Sequence, residues 1–401
     1  MLLRGGRIAG RDEPVDVLIG EDGRIARIAP RIEPSPGLPA VELGARLVVP
    51  GLVDAHQHLD KTRTLRTIAN PDGTLYGAID AFRRYAAGMT REDVMARAER
   101  TLAACLERGT VAIRSHANVD PEARTRGVAA LVEVRERWRE RLRLQVVAFV
   151  TSGATKAGVP AREWLEEAIA LGADVVGGTP AYADDPMGFL DMLFEAAERH
   201  GKPLDLHLDE HLDAARTQFA AVIERTRALG MAGRVVASHC SALAALEPAD
   251  AAKVIEGFAD AGIGVVTLPA ANLFLQGRAA AKLAPRGLTR VVALQGAGVP
   301  VAAASDNIQD PFVPSGTGDL LEIGRWALLA AHLGSNDLPR AFEMVTSAPA
   351  RLLGIEADYG LREGARADLL IAEAADPADL LASGPLARTV LVNGRLVAGT
   401  W

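Results

Sequence analysis

Eight short apolar runs separated by helical stretches constrain this chain more than any other feature of its 401 residues. They are Leu47–Ala55, Thr110–Ser115, Leu144–Val150, Asp174–Gly178, Leu204–Leu208, Arg234–Ser238, Gly262–Leu268 and Val299–Ser305. Most recur about every 30 residues, the period of a strand plus its crossover helix. Strands that alternate with helices pair in parallel, so an α/β fold with a (β/α)8 barrel is expected. A doubly wound open sheet is the rival. It gives no reason for side chains at the ends of the first, fifth, sixth and eighth runs to converge. A barrel brings every carboxyl end to one mouth.

Both termini have a different texture. Val15-Asp-Val-Leu-Ile19 and Arg24-Ile-Ala-Arg-Ile28 flank an Asp22-Gly23 turn. Near the other end, Ala367–Ala372 and Thr389–Val392 precede an Asn393-Gly394 turn and the run Arg395–Ala398. Such runs around Asp-Gly and Asn-Gly predict hairpins. The two ends are expected to share a small β-sandwich, formed by residues 1–50 and 355–401, around a barrel of residues 51–354. Residues 59–89 lie in a long interval between the first two runs. They predict a loop and short helix over the barrel mouth, before an amphipathic helix over Arg91–Arg108.

Composition excludes several function classes. The balance of 44 basic and 51 acidic residues gives a net charge of −7, against a nucleic-acid footprint. No run of about 18 apolar residues predicts a membrane span, and the N-terminus lacks an apolar leader core. Only Cys105 and Cys240 are present. That excludes a disulfide framework and suits a cytoplasmic protein.

The first run ends in Gly51-Leu-Val-Asp-Ala-His-Gln-His-Leu-Asp-Lys-Thr62. In a strand, residues i and i+2 face the same side, so His56 and His58 can grip one divalent ion. His116, His207 and His239 also fall at or near predicted strand ends. His207, in Leu204-Asp-Leu-His-Leu-Asp-Glu-His211, is the candidate third imidazole. Asp306 follows the eighth run and can complete a three-His, one-Asp site with a position left open for water, the mark of a catalytic rather than structural metal. Such an ion makes hydroxide available near neutral pH, and the reaction then needs a proton carrier. Glu210 is the candidate, with Asp209 and His211 as competitors by position. His239 is placed to polarise the attacked centre or bind the hydroxide. Cys240 points the other way and reads as core.

The Pro50-Gly-Leu-Val-Asp-Ala-His-Gln-His58 opening, the later His and Asp positions and the terminal β segments together resemble the amidohydrolase superfamily. The resemblance runs the full length. It is greatest to the branch of cytosine deaminase and N-isopropylammelide amidohydrolase. His207-Leu-Asp-Glu210, Asn272-Leu-Phe-Leu-Gln-Gly-Arg278 and Arg286-Gly-Leu-Thr-Arg290 are similar to the cytosine deaminase side. Ser305-Asp-Asn-Ile-Gln-Asp-Pro-Phe312 and His58-Leu-Asp-Lys61 are similar to the s-triazine side. The resemblance implies that His56, His58, His207 and Asp306 bind Zn or Fe, that Glu210 shuttles protons, and that His239 contacts the hydroxide. Binuclear relatives need a bridging group, commonly a fourth-strand lysine. The fourth run, Ala173-Asp-Val-Val-Gly-Gly-Thr179, has none, so one metal ion per site is expected.

Two departures bear on the substrate. The cytosine deaminase motif Ala-Phe-Pro-Gln is Ala148-Phe-Val-Thr151 here, and the second acid after strand eight is Asn307. Thr151, Asn307, Lys61 and Gln276 are therefore the candidate substrate-binding residues. The expectation is a C–N hydrolase of a small nitrogen heterocycle, releasing ammonia. The alternatives are release of an alkylamine from an s-triazine-like ring, or opening of a cyclic amide. From another class, a non-catalytic ligand-binding barrel would have an empty metal site. A homo-oligomer is compatible with the sequence.

Overall fold

A computed structural model describes residues 1–156 and 158–401. The chain opens with β1 (Leu2–Gly6), β2 (Val15–Ile19), β3 (Ile25–Ala29) and β4 (Ala40–Glu42). They form one sheet in the order β3-β2-β1-β4. Glycine at position 23 has φ +75° and turns the chain between β2 and β3, where a side chain would be strained.

Strands β5 (Leu47–Pro50) and β6 (Leu52–Gln57) follow. The sequence reading treats Leu47–Ala55 as one run; the structure divides it at Gly51. A Cβ on Gly51 would sit 2.4 Å from Val111 Cγ1, so only glycine lets the chain pass here unchanged. Before this point it belongs to the terminal sheets, and beyond it to the barrel.

The barrel continues through β7 (Thr110–Val119), β8 (Arg143–Val150), β9 (Val175–Gly178), β10 (Leu204–Leu208), β11 (Val235–His239), β12 (Gly264–Thr267) and β13 (Val301–Ala303). Each pairs in parallel with the next, giving an eight-stranded sheet in sequence order. Closure comes from Asp306. Its N–H donates to His56 O at 2.9 Å, and its carbonyl accepts from His58 N at 3.2 Å.

Strands β14 (Leu369–Ala372), β15 (Arg388–Val392) and β16 (Arg395–Ala398) return to the first domain and pair in the order β16-β15-β14-β5. Leu3, Val17 and Ile25 of the first sheet share a buried cluster with Val48, Leu369, Ile371 and Leu391 of the second. That shared face makes the two terminal sheets a sandwich, since each sheet buries an apolar side that water would otherwise wet. Arg388 ties this unit to the barrel by a bidentate pair with Asp319 at 2.9 and 2.8 Å.

The interval after β6 contains the helix Leu75–Ala86, capped by Thr74 Oγ1, which accepts from Gly77 N. The next helix spans Arg91–Glu107 and is capped by Thr90 in the same way. These hydroxyls satisfy amides that the first helical turn leaves unpaired. No helix among the described residues is long and apolar enough to cross a membrane.

Candidate active site

Strand β6 and its end place His56 and His58 on one face of the barrel mouth. His58 Nε2 lies 3.1 Å from His207 Nε2, at the end of β10, and 3.3 Å from Asp306 Oδ1. His56 Nε2 lies 3.5 Å from the same carboxylate oxygen. Asp306 reaches inward because its backbone is left-handed, φ +60°; His239 shares this conformation at φ +65°. Non-glycine residues adopt it at a cost of about 1–2 kcal/mol, a form of strain that concentrates at functional sites.

The converging atoms fit a cation. His56 Nε2 is buried and has no hydrogen-bond partner among the described residues. One ligand atom each from His56, His116 and His207 lie within 4.8 Å of one another, as do one each from His56, His239 and Asp306. Burial, then the nearby Lys61 charge, holds the His58 pKa well below its ordinary value; burial and the neighbouring imidazoles do the same to His207. Neutral imidazole is the ligating form. Burial works to raise the Asp306 pKa, but the His56, His58 and His239 rings packed around the carboxylate prevail and hold it well below the usual range. Imidazoles with a carboxylate are a donor set that could hold a divalent metal ion.

The three residues competing for the proton-carrier role separate in space. Asp209 Oδ2 accepts from Gln218 N at 2.8 Å, and His211 Nδ1 accepts from Asp213 N at 3.2 Å. Glu210 instead lines the cavity with His58, His207, His239 and Asp306. Burial first, and then the Asp306 charge, pushes its pKa well above the ordinary value, so it carries a proton. Its Oε1 lies 3.4 Å from His239 Nδ1. Asn272 Nδ2 donates to that same nitrogen at 3.1 Å, leaving the ring hydrogen on Nε2, 3.9 Å from Asp306 Oδ2. Burial holds the His239 pKa down at about 3.

The cavity above these groups has a volume of about 430 Å³. Phe82, Phe149, Leu275 and Phe312 supply apolar wall, with Leu75 and Ile79 from the helix over the mouth. Lys61, Thr151 and Asn307 line it as well. Lys61 Nζ lies 2.8 Å from His58 Nδ1 and 3.3 Å from Asp60 Oδ1. Gln276 stands behind the wall: its Nε2 donates to the Glu210 carbonyl at 3.1 Å.

Several residues without an assigned role in the sequence analysis join the site. Asn118 lines the cavity, its amide held by Asp120 at 2.8 Å. The His116 ring stacks on His56 at 4.0 Å. It lies inside a longer strand, rather than beyond the end of a short one. Asp205 and Ser238 lie buried beneath the imidazoles. The only sequence signal for them is polarity at positions that otherwise read as strand core.

Residues 128–398 match the model of the amidohydrolase family. The chain belongs to that family. This amidohydrolase is 34% identical over 391 residues to a pterin deaminase of Rhizobium rhizogenes, covering 95% of the chain and 87% of the relative. It is 30% identical over 409 residues to the N-isopropylammelide isopropyl amidohydrolase of a Pseudomonas species, covering 99% and 96%. The crystal structure of 5-methylcytosine deaminase from Klebsiella pneumoniae with 5-fluorocytosine superposes with a TM-score of 0.93 at 31% identity, covering 100% of this chain and 98% of that one. The amidohydrolase is thus a hydrolase of carbon–nitrogen bonds other than peptide bonds.

Proposed function

We propose that this amidohydrolase deaminates a flat, oxo-substituted nitrogen heterocycle with the help of one divalent ion, zinc or iron. The observation that carries the reading is the placement of Glu210 Oε1 3.4 Å from His239 Nδ1, with His239 Nε2 3.9 Å from Asp306 Oδ2, at the floor of an aromatic-walled cavity. His56, His58, His207 and Asp306 would hold the ion, which supplies Lewis acidity and makes hydroxide available at neutral pH.

The chain's own groups do the rest. The ring lies against Phe149 with its amino-bearing carbon toward His239. Asp306 accepts a proton from the attacking water. The Nε2–H of His239 faces the oxygen that adds to the ring carbon. The proton held on Asp306 passes to the ring nitrogen that gains charge as the oxygen adds. Glu210 delivers its own proton to the departing nitrogen and recovers one from the new hydroxyl, so the C–N bond breaks to ammonia while the ring carbon becomes a carbonyl. Burial keeps Glu210 protonated until that step and excludes the water that would screen it.

5-Methylcytosine, pterin and N-isopropylammelide each carry an amino-bearing ring carbon beside a lactam. These compounds, named for the similar enzymes, support an edge read by Lys61, Thr151 and Asn307. Gln276 would support Glu210 from behind. The similarity to the ammelide enzyme, 30% identical over 99% of this chain, supports a second reading, release of an alkylamine by the same groups.

The test is amine release from 5-methylcytosine, cytosine, isocytosine, pterin, ammelide and N-isopropylammelide by the metal-loaded protein. Ammonia from at least one ring is expected; free isopropylamine instead selects the second reading. No release from any ring, or activity that survives both chelation and Glu210→Gln, overturns the proposal.

A further inference from the structure

The His56 ring is held from inside the barrel by a line of buried groups. Its Nδ1 lies 2.9 Å from Ser238 Oγ on β11. Ser238 Oγ donates to Asp205 Oδ1 on β10 at 3.1 Å, and the other Asp205 oxygen accepts from Arg114 Nη1 on β7 at 2.8 Å. All four residues are at most 1% exposed. Arg114 is held in place by Gln145 Oε1 and the Leu352 carbonyl, each at 3.0 Å.

The proton directions along this line follow from the chemistry of each group. The guanidinium stays charged, and the carboxylate beside it only accepts. The Ser238 hydrogen must therefore point to Asp205, leaving the Ser238 oxygen to accept. The hydrogen it accepts is the one on His56 Nδ1. The other ring nitrogen, Nε2, then keeps its lone pair, and it is the atom that lies 3.5 Å from Asp306 Oδ1 without a hydrogen-bond partner among the described residues. The His116 ring, stacked at 4.0 Å with its Nε2 3.3 Å from Asp205 Oδ1, closes the space in which His56 could rotate.

We infer that Ser238 and Asp205 are positioning residues that fix His56 in the tautomer offering Nε2 to a divalent ion, with Arg114 as the anchor. The inference rests on the metal-dependent reading of the site. Partners of this kind typically change metal affinity by about 10–100-fold when removed.

The test compares zinc affinity, by competition with a chromophoric chelator, in the full-length wild type, Ser238→Ala, Ser238→Thr and Ser238→Val. Threonine and valine have nearly the same shape and differ in the hydroxyl. Ser238→Ala and Ser238→Val are expected to bind zinc at least tenfold more weakly than Ser238→Thr. Should the alanine variant fail to fold, the threonine–valine pair decides. Equal affinity of that pair overturns the inference while leaving a zinc-binding, active wild type intact. Histidine-selective 15N NMR of the metal-free wild type is a second readout, the His56 signal being assigned from its loss in His56→Gln. The Nδ1-protonated tautomer is expected, and an Nε2-protonated ring overturns the inference. A wild type with the expected tautomer but no zinc binding supports the relay and defeats the metal reading.

Discussion

Glu210 Oε1 lies 3.4 Å from His239 Nδ1, with both side chains buried. Burial acts oppositely on the two, because it penalises whichever form is charged. The carboxyl keeps its proton and the imidazole stays neutral. Glu210→Gln keeps the shape and removes the transferable proton. Turnover is expected to fall by about 10²–10⁴-fold, with metal content and product affinity little changed. Single-turnover kinetics beside metal analysis check this, and an unchanged rate removes Glu210 from the mechanism.

Chelation of the purified enzyme is expected to abolish turnover, and zinc or iron to restore it. The ion should also stabilise the fold. At a free concentration about 1,000 times its Kd, the expected gain is about 4 kcal/mol. Melting curves with and without metal, on wild type and Asp306→Ala, measure it. The gain should vanish in the variant.

Lys61 is buried beside His58 and Asp60, and its Nζ lies 5.3 Å from the Phe82 ring centroid and 5.8 Å from that of Phe149. If it donates to a ring carbonyl, Lys61→Met loses a charge-assisted hydrogen bond of about 1.5–3 kcal/mol. A fall in kcat/KM of about tenfold or more is expected on lactam-bearing rings. An equal fall on an analogue without the carbonyl would place the effect on His58 instead.

Asp310 is fully buried; it accepts from Asn307 Nδ2 at 2.7 Å and from the amides of Phe312 and Val313 at 2.9 and 3.1 Å. Burial outweighs these donors and pushes its pKa from 3.8 up to about 7. The folded state therefore holds this proton after the unfolded chain has lost it. Asp310 contributes stability that is full below about pH 4 and is lost as the pH rises through about 7. Asp310→Asn should gain on wild type across that window, by on the order of 4 kcal/mol. Urea unfolding at pH 4.5 and 8 measures the change, and parallel behaviour of the two proteins counts against it.

Arg388 and Asp319 join the sandwich to the barrel as a buried bidentate pair, and Asp319 Oδ1 also caps a helix through Leu321 N at 3.0 Å. Asp319→Ala leaves the guanidinium buried and unpaired, so a loss of about 3–5 kcal/mol is expected by denaturant unfolding. The double variant Asp319→Leu, Arg388→Met should recover part of it.

The barrel is legible in the sequence because its strands are apolar runs at a regular interval, and because a two-residue spacing puts His56 and His58 on one face. His207 and Asp306 are legible because they end such runs. Other features depend on contacts between distant segments. The break at Gly51 is set by Val111, some 60 residues along the chain. Glu210 separates from Asp209 and His211 only once Gln218 and Asp213 have claimed those neighbours. Ser238 and Asp205 are small or acidic residues inside strands, where periodicity predicts core, and their partners lie on other strands. Lys61, Thr151 and Asn307 share a cavity wall because loops after different strands meet over one mouth.

Asp306 has two tasks at once. Its backbone carries the last hydrogen bonds that join the final stave to the first, and its side chain faces the imidazoles of that first stave. An ion held there would act as a rivet across the seam, in the one place where eight staves have to become a cylinder. Selection on the chemistry of this residue is then also selection on closure. Drift that loosens the seam disables the enzyme before it unfolds it, and the region around His56 and Asp306 should be the last part of the molecule to tolerate change.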